Sequence, residues 1–193
     1  MQQELGGWEA FLGLEEEENY GIFVLFDLVS NKSLDEQLKL LGFAFELKEE
    51  LGHPVSVVLA GDVREDHIQR IKKYPVSEVH VKKCTNQEEA LSFLEKFINE
   101  KKPLVLAGGV KSLAKDIFPY LAQKSGEGYL GGGEHLSISP EDRKVIVKRK
   151  IYGGLLVETV KNTRAGVQFV TLRTDNAKSP EEQEIQELEV REW

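Results

Sequence analysis

Four short apolar runs, each followed by a stretch of helical periodicity, constrain this chain more than any other feature. Gly21-Ile-Phe-Val-Leu-Phe-Asp27 is almost continuously apolar and ends in a carboxylate. Val55 to Ala60, Val76 to Val81 and Pro103 to Ala107 follow the same form. Strands open to water on one face alternate apolar and polar residues, whereas continuous apolar runs suit strands covered on both faces. Between the runs, Ser33-Leu-Asp-Glu36 has the spacing of a capping box, and Leu34, Leu38, Leu41 and Phe45 form one helical stripe. Gly52 supplies a stop. A short helix is predicted around Arg64 to Lys73. Asn86 to Glu89 repeats the capping logic ahead of Ala90, Leu94, Phe97 and Ile98, and a last helix is predicted over Ser112 to Gln123. Strands alternating with helices imply right-handed crossovers. The expected fold is therefore α/β: a doubly wound, mainly parallel, Rossmann-like sheet.

The pattern changes after Gly126. A glycine-rich turn is followed by strand-like segments at Leu136 to Ile138, Val145 to Arg149, Leu155 to Val160 and Val167 to Arg173, with no room for helices between them. These additional C-terminal β-strands are expected to extend or cover one edge of the sheet. Three regions follow: an N-terminal appendage over 1–20, a domain over 21–175, and an acidic linker or arm over 176–193. In the appendage, Trp8, Phe11 and Leu12 could dock on the body or a neighbour, and Glu15 to Glu18 are expected to stay solvated.

The formal charge of −8 over 193 residues argues against a nucleic-acid backbone as partner. With Cys84 as the single cysteine, no intrachain disulfide can form, which fits a reducing cytoplasm. The first twenty residues have neither the basic start nor the apolar core of a secretory signal. No apolar run reaches the roughly 20 residues needed to span a bilayer, so the chain is not expected to be membrane-embedded.

In an open parallel sheet, ligands bind beyond the carboxyl ends of the strands at the switch point. Two loops qualify, Asp27 to Ser33 and Gly108 to Ser112. The first contains no glycine, which argues against a dinucleotide pyrophosphate site. Gly109-Val-Lys-Ser112 lacks the order of a phosphate loop. A tight strand-to-helix turn is the leading reading there, with a nucleotide site as the alternative. His53, His67, His80 and His135 are too scattered for a metal and read as ordinary surface or loop histidines. Cys84, beside Lys82 and Lys83, lacks a resolving cysteine and a base, and reads as a bystander thiol. The acidic clusters lie on predicted solvent faces, so no catalytic residue and no metal ligand is assigned.

Ser112-Leu-Ala-Lys-Asp-Ile-Phe-Pro-Tyr-Leu-Ala122, Arg149-Lys-Ile-Tyr-Gly-Gly154, and Gln168, Thr171 and Arg173 on the closing strand occur in that order. The succession resembles the first domain of electron transfer flavoprotein alpha subunits. There the helix typically reads Ser-Leu-Gly-Arg-Asp-Leu-Ala-Pro-Arg-Leu-Ala, the second motif Arg-Pro-x-Tyr-Gly-Gly, and the strand Gln-x-x-Thr-x-Arg. The match covers roughly Gly21 to Thr174. Ala114-Lys115 stands where the family usually has Gly-Arg, Lys150 replaces its proline, and Gly132 lies near a usual Asp.

The resemblance implies a scaffold domain or subunit that supports electron transfer from dehydrogenases. It implies a beta-like subunit as partner, with a homo-oligomer through the N-terminal segment and edge strands as another possibility. FAD belongs on a C-terminal domain whose glycine-rich motifs are not found in this chain, with AMP on the beta partner. No cofactor and no catalytic activity are expected of this chain alone. The sequence is expected to be either part of a longer chain or a short stand-alone relative. Arg149, Tyr152, Gly153 and Gly154 are the candidates for a cofactor- or partner-facing edge, against the alternative of a buried Tyr in a plain hairpin turn. The runner-up function is an adenine-nucleotide-binding module of the same broad adenine nucleotide alpha-hydrolase-like fold, with no redox role.

Overall fold

The structure is a computed structural model and describes residues 20–30, 32–175, 177–184 and 187–193. The expectations for Trp8, Phe11, Leu12 and Glu15 to Glu18 lie outside the described residues. The expected runs become β1 (Ile22–Leu28), β2 (Val55–Gly61), β3 (Glu78–Lys82) and β4 (Val105–Gly109). The helices are α1 (Leu34–Leu51), α2 (Glu65–Ile71), α3 (Gln87–Lys101) and α4 (Ala114–Ser125).

Seven strands form one sheet in the order β10-β3-β2-β1-β4-β9-β5, where β5 is Gly128–Gly133, β9 is Gln168–Leu172 and β10 is Glu189–Glu192. Every pairing in it is parallel. The continuous apolar runs follow from this, because each central strand has a core on both faces. Ile22, Val24 and Phe26 of β1 enter the core beneath α1 and α2, while Phe23 and Leu25 enter the core beneath α3 and α4. Side chains alternate across a strand, so one run serves both layers. Phe26, Phe97, Phe118 and Phe169 are among the largest fully buried side chains, each contributing about 1.5–3 kcal/mol through burial.

Helix ends are set locally. Asn86 accepts the Glu89 N–H at 2.9 Å at the start of α3, and the Glu89 carboxylate in turn accepts the Thr85 N–H. The expected box at Ser33 does not form: Ser33 makes no side-chain cap, and Glu36 turns to Lys39 and Thr174 instead. Gly52, at φ +72°, ends α1 in the left-handed conformation that glycine adopts at low cost.

The segment read as a glycine-rich turn is in fact β5, the far edge strand. Gly128 lies where any side chain would collide with Asn162, and Gly133 packs against Val147 and Leu172. These glycines mark close approach of neighbouring groups as well as chain reversal. The remaining extra strands, β6 (His135–Ile138), β7 (Val145–Ile151) and β8 (Leu156–Lys161), form a separate antiparallel sheet. Leu136, Val145 and Val147 of that sheet join the core over α1.

After β9 the chain crosses to the opposite edge. The Gln183 N–H donates to the Lys73 carbonyl at 2.7 Å, Glu182 pairs with Lys73, and the arm ends as strand β10 against β3. Trp193 then packs on Phe93, Phe97 and His80. No described helix is long and apolar enough to cross a membrane.

Candidate functional site

β2 and β3 lie on one side of β1, and β4 lies on the other. The switch point is therefore the crevice between the carboxyl ends of β1 and β4, where this fold normally receives a ligand. Here it holds Asp27, which is fully buried. One carboxylate oxygen accepts the N–H groups of Val29 and Ser30, both at 3.0 Å. The other accepts the Leu113 N–H at 2.9 Å, just ahead of α4. The Asp27 backbone is fixed in turn by the Gln37 carboxamide, which accepts from its N–H and donates to its carbonyl.

A carboxylate of the chain itself thus occupies the crevice and takes up the loop and helix-start N–H groups that converge there. Gly108 packs against Ala114 and Phe118 so closely that a side chain there would clash. The Gly108–Ser112 loop is accordingly a tight strand-to-helix turn. The sequence showed Asp27 only as the carboxylate ending an apolar run; its contact with Leu113, 86 residues away, had no local signal. The residues present do not fit a dinucleotide or flavin pyrophosphate at this crevice.

The second region is the β7–β8 hairpin. Arg149 stands at its root, with Nε donating to Glu158 at 2.6 Å and a terminal nitrogen donating to the Gly131 carbonyl at 2.6 Å. It ties β7 both to its partner strand and to β5. Tyr152, Gly153 and Gly154 form the reversal, with φ of +51°, +67° and +93°. For tyrosine the left-handed conformation costs about 1 kcal/mol. Tyr152 is 75% exposed, so the alternative of a buried Tyr does not hold. Leu155, Leu156 and Val157 beside it are 84%, 56% and 65% exposed. The hairpin therefore presents four large apolar side chains to solvent, Tyr152 and Leu155 to Val157. The sequence reading placed Arg149, Tyr152, Gly153 and Gly154 on one edge, and the structure brings them together in one hairpin. It missed the exposure of Leu155 to Val157, which were read as part of a strand extending or covering the sheet edge.

The other candidates fall elsewhere. Cys84 is buried, and burial, with Glu89 nearby, pushes its thiol up, away from the reactive thiolate. His67 and His80 are not surface or loop residues: they are 6% and 0% exposed. The Trp193 indole N–H donates to His80 Nδ1 at 3.0 Å, which places the neutral ring's proton on Nε2. Nε2 lies 3.0 Å from Glu78, in poor geometry for a hydrogen bond. Burial, with the Lys101 charge nearby, holds His80 down at about 4. Among the described residues no cluster of His, Cys, Asp and Glu could hold a metal ion.

Comparison with known proteins agrees with this arrangement. The lactate dehydrogenase (NAD(+),ferredoxin) subunit LctC of Acetobacterium woodii is 27% identical over 188 residues, covering 91% of this chain and 45% of that protein. The electron transfer flavoprotein subunit alpha of Clostridium acetobutylicum is 25% identical over 162 residues, covering 79% of this chain and 47% of that protein. The subunit of the same name from Megasphaera elsdenii is 23% identical, covering 83% and 49%. The chain spans about half the length of these curated relatives. Residues 29–193 match the electron transfer flavoprotein domain, and the chain belongs to that family.

Proposed function

We propose that this chain is the scaffold domain of an electron transfer flavoprotein, docking a beta-like subunit through the tip of the β7–β8 hairpin. The observation that carries this reading is the exposed set Tyr152, Leu155, Leu156 and Val157, held out by Arg149. Large contiguous apolar patches on a soluble domain mark interaction surfaces. The names of the alpha-subunit relatives imply a companion subunit.

The chain's own residues position rather than react. Arg149 fixes the angle of the hairpin, the glycines let the tip reverse, and Asp27 closes the switch-point crevice from within. When bound, FAD supplies redox chemistry that side chains lack. In this reading it is held outside these residues, on a further domain, with AMP on the partner, and the complex accepts electrons from dehydrogenases in the cytoplasm.

The test is co-purification with a beta-type electron transfer flavoprotein subunit. A stoichiometric complex is expected, and Leu155→Asp with Val157→Asp should abolish it while leaving the unfolding midpoint unchanged. A complex indifferent to both substitutions would sink the assignment of the hairpin. A tip-dependent homodimer without the partner would favour self-association instead. Flavin absorbance near about 450 nm from this chain alone would refute the placement of FAD elsewhere.

A further inference from the structure

We propose that a cavity at the amino-terminal ends of the strands, opposite the switch point, binds a phosphate-bearing small molecule. The cavity measures about 1100 Å³. It opens among the residues preceding β1, β2, β4, β5 and β9, at the opposite end of the β7–β8 hairpin from its tip. In a chain of net charge −8, its lining carries Lys102, Arg143, Lys144 and Arg164 against Glu127 and Asp142. Four cations drawn around one concavity focus an attractive field for anions.

Two of these cations are lightly engaged. The Arg164 and Lys144 side chains make no hydrogen bond or ion pair among the described residues, and the Lys144 charge lies near enough to Glu127 to favour its ionised form. Arg143 spends one N–H on the Leu51 carbonyl at 2.8 Å and retains the rest of its fork. The carboxylates oppose an anion weakly. Asp142 is already paired with Lys161 at 3.0 Å. Glu127 is packed against Gly166, and burial pushes its carboxyl up, towards the neutral form.

A second, independent observation points to an acceptor in this place. Gln168 lines the cavity and is fully buried; its Oε1 accepts the Val145 N–H at 2.7 Å. Its Nε2, closed off from solvent behind this lining, has no hydrogen-bond partner, and an unspent buried donor costs free energy until an acceptor meets it. The rim adds an aromatic face: Tyr20 lies edge-on to His53 with ring centroids 4.9 Å apart and is half exposed. Arginine and lysine around a recess with a flat apolar ring at its mouth match a phosphate carried on a planar group.

Isothermal titration calorimetry on the full chain, with inorganic pyrophosphate and with ADP at constant ionic strength, tests this. Saturable one-to-one binding is expected. Arg164→Gln with Lys144→Gln should weaken it by at least about tenfold, the loss of one charge-assisted hydrogen bond. Neither side chain holds the fold together, so the variant should unfold at the wild-type midpoint. ADP tighter than pyrophosphate, by a margin lost in Tyr20→Ala, identifies a nucleotide; equal affinities identify phosphate alone. No saturation with either probe at millimolar concentration, or binding that survives the double substitution, overturns the proposal.

Discussion

Replacing Asp27 by alanine removes the acceptor for three backbone N–H groups, those of Val29, Ser30 and Leu113. The carboxylate is fully buried, so water cannot take its place without the structure opening. A hydrogen bond to a charged acceptor is worth about 1.5–3 kcal/mol, and orphaning its donor exposes the full desolvation penalty. Part of the sum is returned, because an ion no longer has to be buried. A net loss of about 3–5 kcal/mol is expected for Asp27→Ala. Asp27→Asn should lose about 2 kcal/mol, because its amide can accept from one side of the crevice but presents N–H to the other. At 2–4 °C per kcal/mol for a chain of this size, the alanine variant should melt about 10 °C lower. Urea unfolding followed by circular dichroism gives the free energies directly. Formate, which has the shape of the missing group, should restore part of the alanine variant's stability and none of the wild type's. A loss under about 1 kcal/mol for Asp27→Ala, or formate stabilising both proteins equally, would refute the claim that Asp27 fills an anion position.

The other predictions concern the two edges of the molecule. His80 is held at about 4 in the fold and titrates near 6.5 when unfolded, so between these values the unfolded chain binds more protons. Stability must therefore fall as pH drops from 6.5 towards 4, by about 3 kcal/mol in total. Unfolding free energies of wild type minus His80→Gln across pH 7 to 4 should show this slope; a flat difference would rule it out. Arg149→Gln should cost about 1 kcal/mol, its half-exposed ion pair being discounted for solvent. It should also make the β7–β8 tip a preferred site of limited proteolysis. Lysine should not rescue it, since one ammonium lacks the fork that reaches Glu158 and Gly131 together.

The central sheet was legible because its strands are covered on both faces, so that runs such as Ile22 to Phe26 carry their environment in their composition. The helices were legible for the complementary reason: Leu34, Leu38 and Leu41 repeat with the period of a one-sided helix. β5 was not legible. Tyr129-Leu-Gly-Gly-Gly133 has turn composition, and only Asn162, Val147 and Leu172 packing against it show why side chains are excluded. β10 was hidden for another reason. Glu189-Val-Arg-Glu192 is an edge strand, mostly exposed, so nothing in its pattern demands burial; its place is set by Trp193 closing on His80. His67 and His80 were misjudged because spacing reports ligand geometry but not depth, whereas His53 and His135 lie at or near the surface as expected. At the candidate site, the motif at Arg149 to Gly154 was visible as residues and only the fold showed it as a projecting tip.

The filled crevice has a consequence for where binding can occur in this molecule. A doubly wound sheet gains a ligand site at its switch point because unspent N–H groups converge there with no acceptor of their own. Asp27 removes that condition. The donors are satisfied within the chain, and a ligand arriving there would have to displace a buried carboxylate together with its Gln37 support. Stabilisation by a ligand requires an affinity for the folded state that the unfolded state lacks, and a site already saturated by its own side chain offers little. Binding is then expected on groups the fold leaves available: the apolar tip beyond Arg149, and Lys144 and Arg164 at the opposite end of the sheet. The tip residues, Lys144 and Arg164 can be replaced without loosening the sheet, whereas Asp27 cannot, and neither can Gln168, whose Oε1 holds the Val145 N–H. That difference is what separates a surface kept for partners from a residue kept for the fold.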